Sequence, residues 1–311
     1  MSQKPTIIHI GYPKTGTKWL QKNYFPNTEG CFFLARPHVF SLIIKPDIFE
    51  FSATHCRQEI ERMAQGKRVV LSEELLLGGL DIGFGVGEFM LLMVGRLKSV
   101  FRDAQIVITL RNQVDIASSV YGHYIKSGGT YSPKKFFGLS GRHRLFFKNH
   151  HLFSLKLFDY DRVVNLYREY FGPENILILF YEDFKANPES YINNLSAQTG
   201  LTPTSQMPHL LPENVRLSSF SAGAMRCLNR FTAKNTVFKN HLLDIPTLYY
   251  RTLSITERLD GCKCLSNNPF RLPQRVEKAI ASYYMTSNAR LAGIVGLERL
   301  KELGYPLLST Q

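Results

Sequence analysis

The stretch Thr6-Ile7-Ile8-His9-Ile10-Gly11-Tyr12-Pro13-Lys14-Thr15-Gly16-Thr17-Lys18-Trp19 decides the reading of this chain. Thr6 to Ile10 is a short, mostly apolar run that reads as a buried strand. A helix is expected from about Lys18 to Tyr24. Between them lies a turn with glycine at both ends. Strand, glycine-containing turn and helix start together form a cradle for an anion. Gly11 and Gly16 relieve steric crowding, so that backbone N–H groups can converge. The helix N-terminus contributes a partial positive charge and Lys14 a full one. An ordinary strand-to-helix turn would have the same outline, so the loop needs support from elsewhere in the chain.

A nucleotide-triphosphatase loop is the first comparison, and it fails in detail. That loop reads G-x-x-x-x-G-K-[ST]. Here Thr17 follows the second glycine, Gly16, and the lysine has moved inside the loop to Lys14. The later strands also lack the terminal aspartate that holds Mg²⁺ in such enzymes. Ile106–Leu110 runs into Arg111, and Ile176–Phe180 runs into Tyr181.

The run Pro13-Lys14-Thr15-Gly16-Thr17-Lys18-Trp19 resembles the 5′-phosphosulfate loop of sulfotransferases that use 3′-phosphoadenosine 5′-phosphosulfate. The resemblance implies that Lys14, Thr15, Gly16 and Thr17 hold the 5′-phosphate and that Trp19 packs on the adenine. Lys18 departs from the pattern, where a second threonine is usual; its backbone N–H remains as a donor. Arg111, at the end of a strand, and Ser119, eight residues on in the following helix, resemble the family's 3′-phosphate site. An arginine suits that task because its planar fork forms bidentate, charge-assisted hydrogen bonds. Asp115 is the expected N-cap of that helix. Phe180-Tyr181-Glu182-Asp183-Phe184 resembles a run that places its tyrosine, here Tyr181, near the adenine. Tyr283 to Leu291, followed by Leu303-Gly304-Tyr305-Pro306, resembles the closing part of bacterial-type members.

The implied reaction moves a sulfuryl group from a phosphate oxygen to an acceptor hydroxyl, leaving adenosine 3′,5′-bisphosphate. Lys14 would stabilise the charge growing on the departing oxygen, and no metal is required. An acceptor hydroxyl needs a base in line with the sulfur. The strand Arg68–Ser72 should lie beside the first strand, so Glu73 and Glu74 open near the loop. The family resemblance favours Glu74. Glu73 is the alternative, since alternating geometry turns one of the two away. His123, four residues after Ser119, is held in reserve. His9, inside a strand, reads as structural.

Composition fits this outline. The 311 residues contain 44% hydrophobic side chains, enough for a full core. Strand and helix signals alternate without a disordered linker. The expected fold is therefore α/β: a single P-loop-like domain over 1–311, with a central parallel β-sheet flanked by helices. Strands are expected at Thr6–Ile10, Arg68–Ser72, Gln105–Leu110 and Ile176–Phe180. Gly78–Gly87 reads as a mobile loop. Acceptor-binding insertions are expected near 128–157 and 202–272, where the resemblance is thinnest.

No run of about eighteen apolar residues suggests a membrane span. With the first strand expected from Thr6, no leader is expected, and the five cysteines are scattered, including Cys262 and Cys264. A cytoplasmic protein with reduced thiols is the expectation. The net charge of +13 exceeds what one nucleotide requires. No acid occurs from Ile116 to Phe158, where Lys126, Lys134, Lys135, Arg142, Arg144, Lys148 and Lys156 are interleaved with phenylalanines. Asn214 to Leu243 is also acid-free. This charge points to a carbohydrate or glycolipid acceptor with anionic character, with peripheral membrane contact as a further possibility. A solvated basic exterior fits the same charge. No nucleic-acid motif is present. Two other readings stay open: a P-loop small-molecule kinase, and a non-catalytic basic nucleotide-fold binding protein.

Overall fold

The computed structural model describes residues 5–77, 86–139, 153–204, 217–232, 242–260 and 270–308. Five strands form one all-parallel sheet: β1 Ile7–Gly11, β2 Cys31–Leu34, β3 Arg68–Ser72, β4 Gln105–Leu110 and β5 Ile176–Phe180. Their order across the sheet is β2-β3-β1-β4-β5. The α/β sheet flanked by helices agrees with the expectation. β2 is an additional edge strand.

Alternating side chains divide the core between the two faces. Ile8, Leu71, Ile106 and Ile108 pack on one side with residues of the helices Ala53–Ala64, Val86–Val100, Tyr160–Phe171 and Gln274–Val295. Ile7, Val70, Val107 and Leu179 pack on the other with Trp19, Phe25, Phe184 and the helix Pro188–Thr199. With both faces covered, the strands need apolar side chains at nearly every position, which explains their continuous hydrophobic runs.

The order places the site. The chain leaves β1 toward β2 on one side of the sheet and leaves β4 toward β5 on the other. The loops following these two adjacent strands therefore diverge and open a crevice at the C-terminal edge, between Gly11 and Arg111.

The helix Gln113–Lys126 is capped by Asn112, whose Oδ1 accepts from Val114 N at 3.0 Å. This corrects the expectation for Asp115, which is exposed in the first turn. After the loop, only Thr17–Trp19 is regular α-helix; Leu20–Tyr24 continues as a wider π-helical turn. The expected mobile loop Gly78–Gly87 lies mostly outside the described residues, as do Arg142, Arg144, Lys148, Cys262 and Cys264.

Of the phenylalanines in the acid-free stretch, Phe146 and Phe147 lie outside the described residues and three others are buried. Phe136, Phe137 and Phe153 are each at most 3% exposed and pack among Tyr121, Tyr124 and Phe158. They belong to the core and are not available to meet a sugar or lipid. Lys134, Lys135 and Lys156 are exposed.

Candidate active site

The loop after β1 is tightly wound. Lys14 has φ 69°, and Gly16 has φ 82°. The left-handed region is easy for glycine and costs other residues about 1–2 kcal/mol. Thr15 and Thr17 are buried. The Thr15 hydroxyl donates to the Tyr12 carbonyl at 2.5 Å and lies 3.2 Å from the Thr17 hydroxyl. Gly16 O accepts from Trp19 N and Leu20 N, opening the helix. A Cβ on Gly11 would lie 2.1 Å from Thr17 Oγ1 and 2.8 Å from His9 Cε1, so only glycine fits there. Lys14 is half-buried and Lys18 is exposed.

His9 anchors this loop from below. Its Nδ1 is 2.8 Å from Ser72 Oγ, and its Nε2 is 3.1 Å from Thr109 Oγ1. One ring thus ties β1 to β3 and β4. Complete burial drives its pKa down to about 3, so it is a neutral cross-tie.

Arg111 faces the loop across the crevice. Its Nη1 donates to Lys14 O at 2.6 Å, and its guanidinium lies 4.6 Å above the Tyr181 ring. Tyr160 donates to the Arg111 carbonyl at 2.6 Å. Ser119 and His123 are half-buried on the helix Gln113–Lys126. An aromatic group flanks the loop. Trp19, 7% exposed, is 5.6 Å from Phe184, which is 6.2 Å from Tyr181. Phe184 was not singled out in the sequence, although it closes the run that begins at Phe180.

The two glutamates, just past the end of β3, differ in burial, with Glu74 opening a short 3-10 turn over Glu74–Leu77. Glu73 is fully buried; its Oε1 accepts from Leu75 N at 3.0 Å, and its Oε2 is 3.5 Å from Arg36 Nε. Glu74 is half-buried. Burial raises its pKa and the neighbouring Glu73 adds to the rise, while Lys18, Lys14 and Arg36 oppose it. The positive charges of Lys18, Lys14 and Arg36 thus act on the Glu74 carboxyl. Gln21 Nε2 donates to Ser72 O at 2.9 Å, fixing the β3 terminus to the helix that follows the loop. Arg36 and Gln21 carried no sequence signal, because their partners lie far along the chain.

The ends of β1, β3, β4 and β5 thus meet around one crevice with cations, a carboxylate and aromatic rings. The family model for the sulfotransferase domain matches residues 92–241, a span that includes Arg111, Ser119 and Tyr181. Residues 92–241, just under half of the chain, thus match a sulfotransferase domain. That domain match supports a sulfotransferase enzyme. The sulfotransferase domain match begins beyond Lys14 and Glu74, so those residues rest on the geometry above. Among solved structures, the chain is similar to the sulfotransferase from Alicyclobacillus acidocaldarius, with 15% identity and a TM-score of 0.55. That alignment covers 94% of this chain and 96% of the other. It is also similar to mouse sulfotransferase SULT7A1 complexed with PAP, with 19% identity, a TM-score of 0.46, and coverage of 96% and 88%. The sulfotransferase domain from the curacin biosynthetic pathway aligns with 13% identity and a TM-score of 0.36, covering 91% and 98%. The first of these shares the fold. No curated protein sequence gives a significant match. Among the described residues, no helix is long and apolar enough to cross a membrane.

Proposed function

We propose that the protein transfers a sulfuryl group from 3′-phosphoadenosine 5′-phosphosulfate to an acceptor hydroxyl on a carbohydrate or glycolipid. The observation that carries this reading is the hydrogen bond from Arg111 to the Lys14 carbonyl. It brings the two candidate phosphate sites, far apart in sequence, to facing sides of one crevice.

The residues suit such a donor. The cradle after β1 is closed to any side chain at Gly11, and it opens a helix whose first N–H groups face the loop. Lys14 supplies the full charge. Arg111 and Ser119 stand on the β4 side for the 3′-phosphate, and Trp19, Phe184 and Tyr181 supply an apolar flank for the base. The donor contributes the sulfuryl group itself. Lys14 holds charge at the departing oxygen, where it matters more in the transition state than in the ground state.

Glu74 is the base in this account. It follows β3, the strand beside β1 and its loop, and partial burial makes it a better proton acceptor. Glu73 is fully buried, with Oε1 accepting from Leu75 N and Oε2 3.5 Å from Arg36 Nε, which supports Glu74 over Glu73 as the base. His123 stays in reserve on the helix that bears Ser119. The acceptor assignment rests on the exposed lysines Lys134, Lys135 and Lys156, which would steer an anionic glycan. The cytoplasm is the proposed location.

Calorimetry with adenosine 3′,5′-bisphosphate, adenosine 5′-phosphate and ATP, each with Mg²⁺ and with chelator, tests the donor. The bisphosphate should bind best, and equally well in both conditions. Binding of ATP alone, dependent on Mg²⁺, would replace this reading with that of a kinase.

A further inference from the structure

The run Tyr283–Leu291 and the segment Leu303–Pro306 stand apart from the crevice in sequence, yet their polar atoms converge on the residues that follow Arg111. Asn288, on the helix Gln274–Val295, is completely buried. It exchanges two hydrogen bonds with Gln113, which is buried as fully: Gln113 Nε2 donates to Asn288 Oδ1 at 2.6 Å, and Asn288 Nδ2 donates to Gln113 Oε1 at 3.1 Å. Asn288 Nδ2 also reaches Pro306 O at 2.9 Å. Two residues earlier in that segment, Gly304 O accepts from Asn112 Nδ2 at 2.6 Å. Between them, the Tyr305 ring packs edge-on against Phe180 at the end of β5, 5.8 Å between centroids.

Each of three consecutive residues is thereby held. Tyr160 fixes the Arg111 carbonyl. Asn112 N donates to Glu182 Oε1 at 2.8 Å, while its side chain reaches Gly304. Gln113 is locked to Asn288. Burying an amide is costly unless its donors and acceptors are matched, so this network has one low-energy arrangement. It holds the chain immediately after Arg111 by groups other than the Lys14 loop.

We propose that Asn288, together with Gly304–Pro306, is a positioning element for Arg111 and through it sets selectivity for a 3′-phosphate. This rests on the proposed assignment of Arg111 to that phosphate. A guanidinium fork gives its full bidentate bonding only when held within about 0.5 Å of the productive place. The Asn288–Gln113 pair and the Asn112–Gly304 bond supply that restraint at the base of the Arg111 side chain.

The test uses the full chain with Asn288→Ala, Asn112→Ser and the exchanged pair Gln113→Asn with Asn288→Gln. Asn112→Ser keeps a hydroxyl to cap the helix and loses the reach to Gly304, so it remains informative if Asn288→Ala does not fold. Calorimetry measures affinity for adenosine 3′,5′-bisphosphate and adenosine 5′-phosphate. Both single changes should lower the bisphosphate preference about tenfold, mostly through the bisphosphate, and the exchanged pair should recover most of it. If melting temperature falls while the preference stays at the wild-type value, the network only holds the fold and the proposal is wrong. If the wild type itself shows no bisphosphate preference, the assignment of Arg111 fails first, and that result is separate from any change in the variants.

Discussion

Arg111 donates to the carbonyl of Lys14 at 2.6 Å across 97 residues of chain. The donor belongs to the end of β4, and the acceptor is the left-handed residue of the loop after β1. Neither side of the crevice is therefore set independently of the other.

Arg111→Ala should weaken adenosine 3′,5′-bisphosphate binding by about 10- to 100-fold, equivalent to the loss of about 1.5–3 kcal/mol for a charged hydrogen bond. Adenosine 5′-phosphate should also weaken, by a smaller factor, because Lys14 loses the donor on its carbonyl. Calorimetry on both nucleotides reads the two effects. An unchanged 5′-phosphate affinity would mean that the bond to Lys14 does not shape the loop.

Glu74→Gln should slow sulfuryl transfer by roughly 10²–10⁴-fold and leave bisphosphate affinity intact. A base works only when ionised, so kcat/KM should rise with pH through the Glu74 pKa. Burial and Glu73 place that acid limb above the ordinary glutamate value of 4.5. The limb should vanish in Glu74→Gln. If it persists there and vanishes in His123→Ala, the base is His123.

His9 makes stability depend on pH. Its folded pKa of about 3 lies below its ordinary 6.5. Between those values the unfolded chain binds the proton and the folded chain does not. Stability from this group is complete above 6.5 and declines as pH falls toward 3. His9→Gln should lower the melting temperature at pH 7 and flatten its decline over that window relative to wild type. Parallel melting curves for the two proteins would exclude His9 as the source.

Charge removal at Lys134, Lys135 and Lys156 should lower kcat/KM for an anionic glycan acceptor and weaken its dependence on ionic strength. Exposed charges act over only about 8–10 Å at ordinary salt. Bisphosphate affinity should remain. Equal rates for wild type and variant at low salt, with a neutral acceptor preferred, would assign these lysines to plain exterior.

Much of this arrangement is legible in the sequence, for identifiable reasons. β1, β3, β4 and β5 read as continuous apolar runs because both sheet faces are covered. β2 escaped because Cys31-Phe32-Phe33-Leu34 is four residues long and only partly buried at an edge. The placement of Glu73 and Glu74 beside the loop followed from the neighbouring strands, and only packing decides which one turns inward. The burial of Phe136 and Phe137 is not legible, because a buried cluster and a stacking platform have the same composition. The partners of His9 lie 63 and 100 residues away. Nothing local to Ile8-His9-Ile10 announces them, and the same holds for Asn288 and Gln113.

Lys14 carries its charge on a backbone conformation that asparagine or glycine would adopt more easily. Directed evolution for thermal tolerance alone would therefore pull position 14 toward those residues, and each step would make the molecule hardier while emptying the crevice of its central cation. A heat-selected library of this protein needs a parallel screen for turnover, or its winners will be robust scaffolds that no longer perform the transfer.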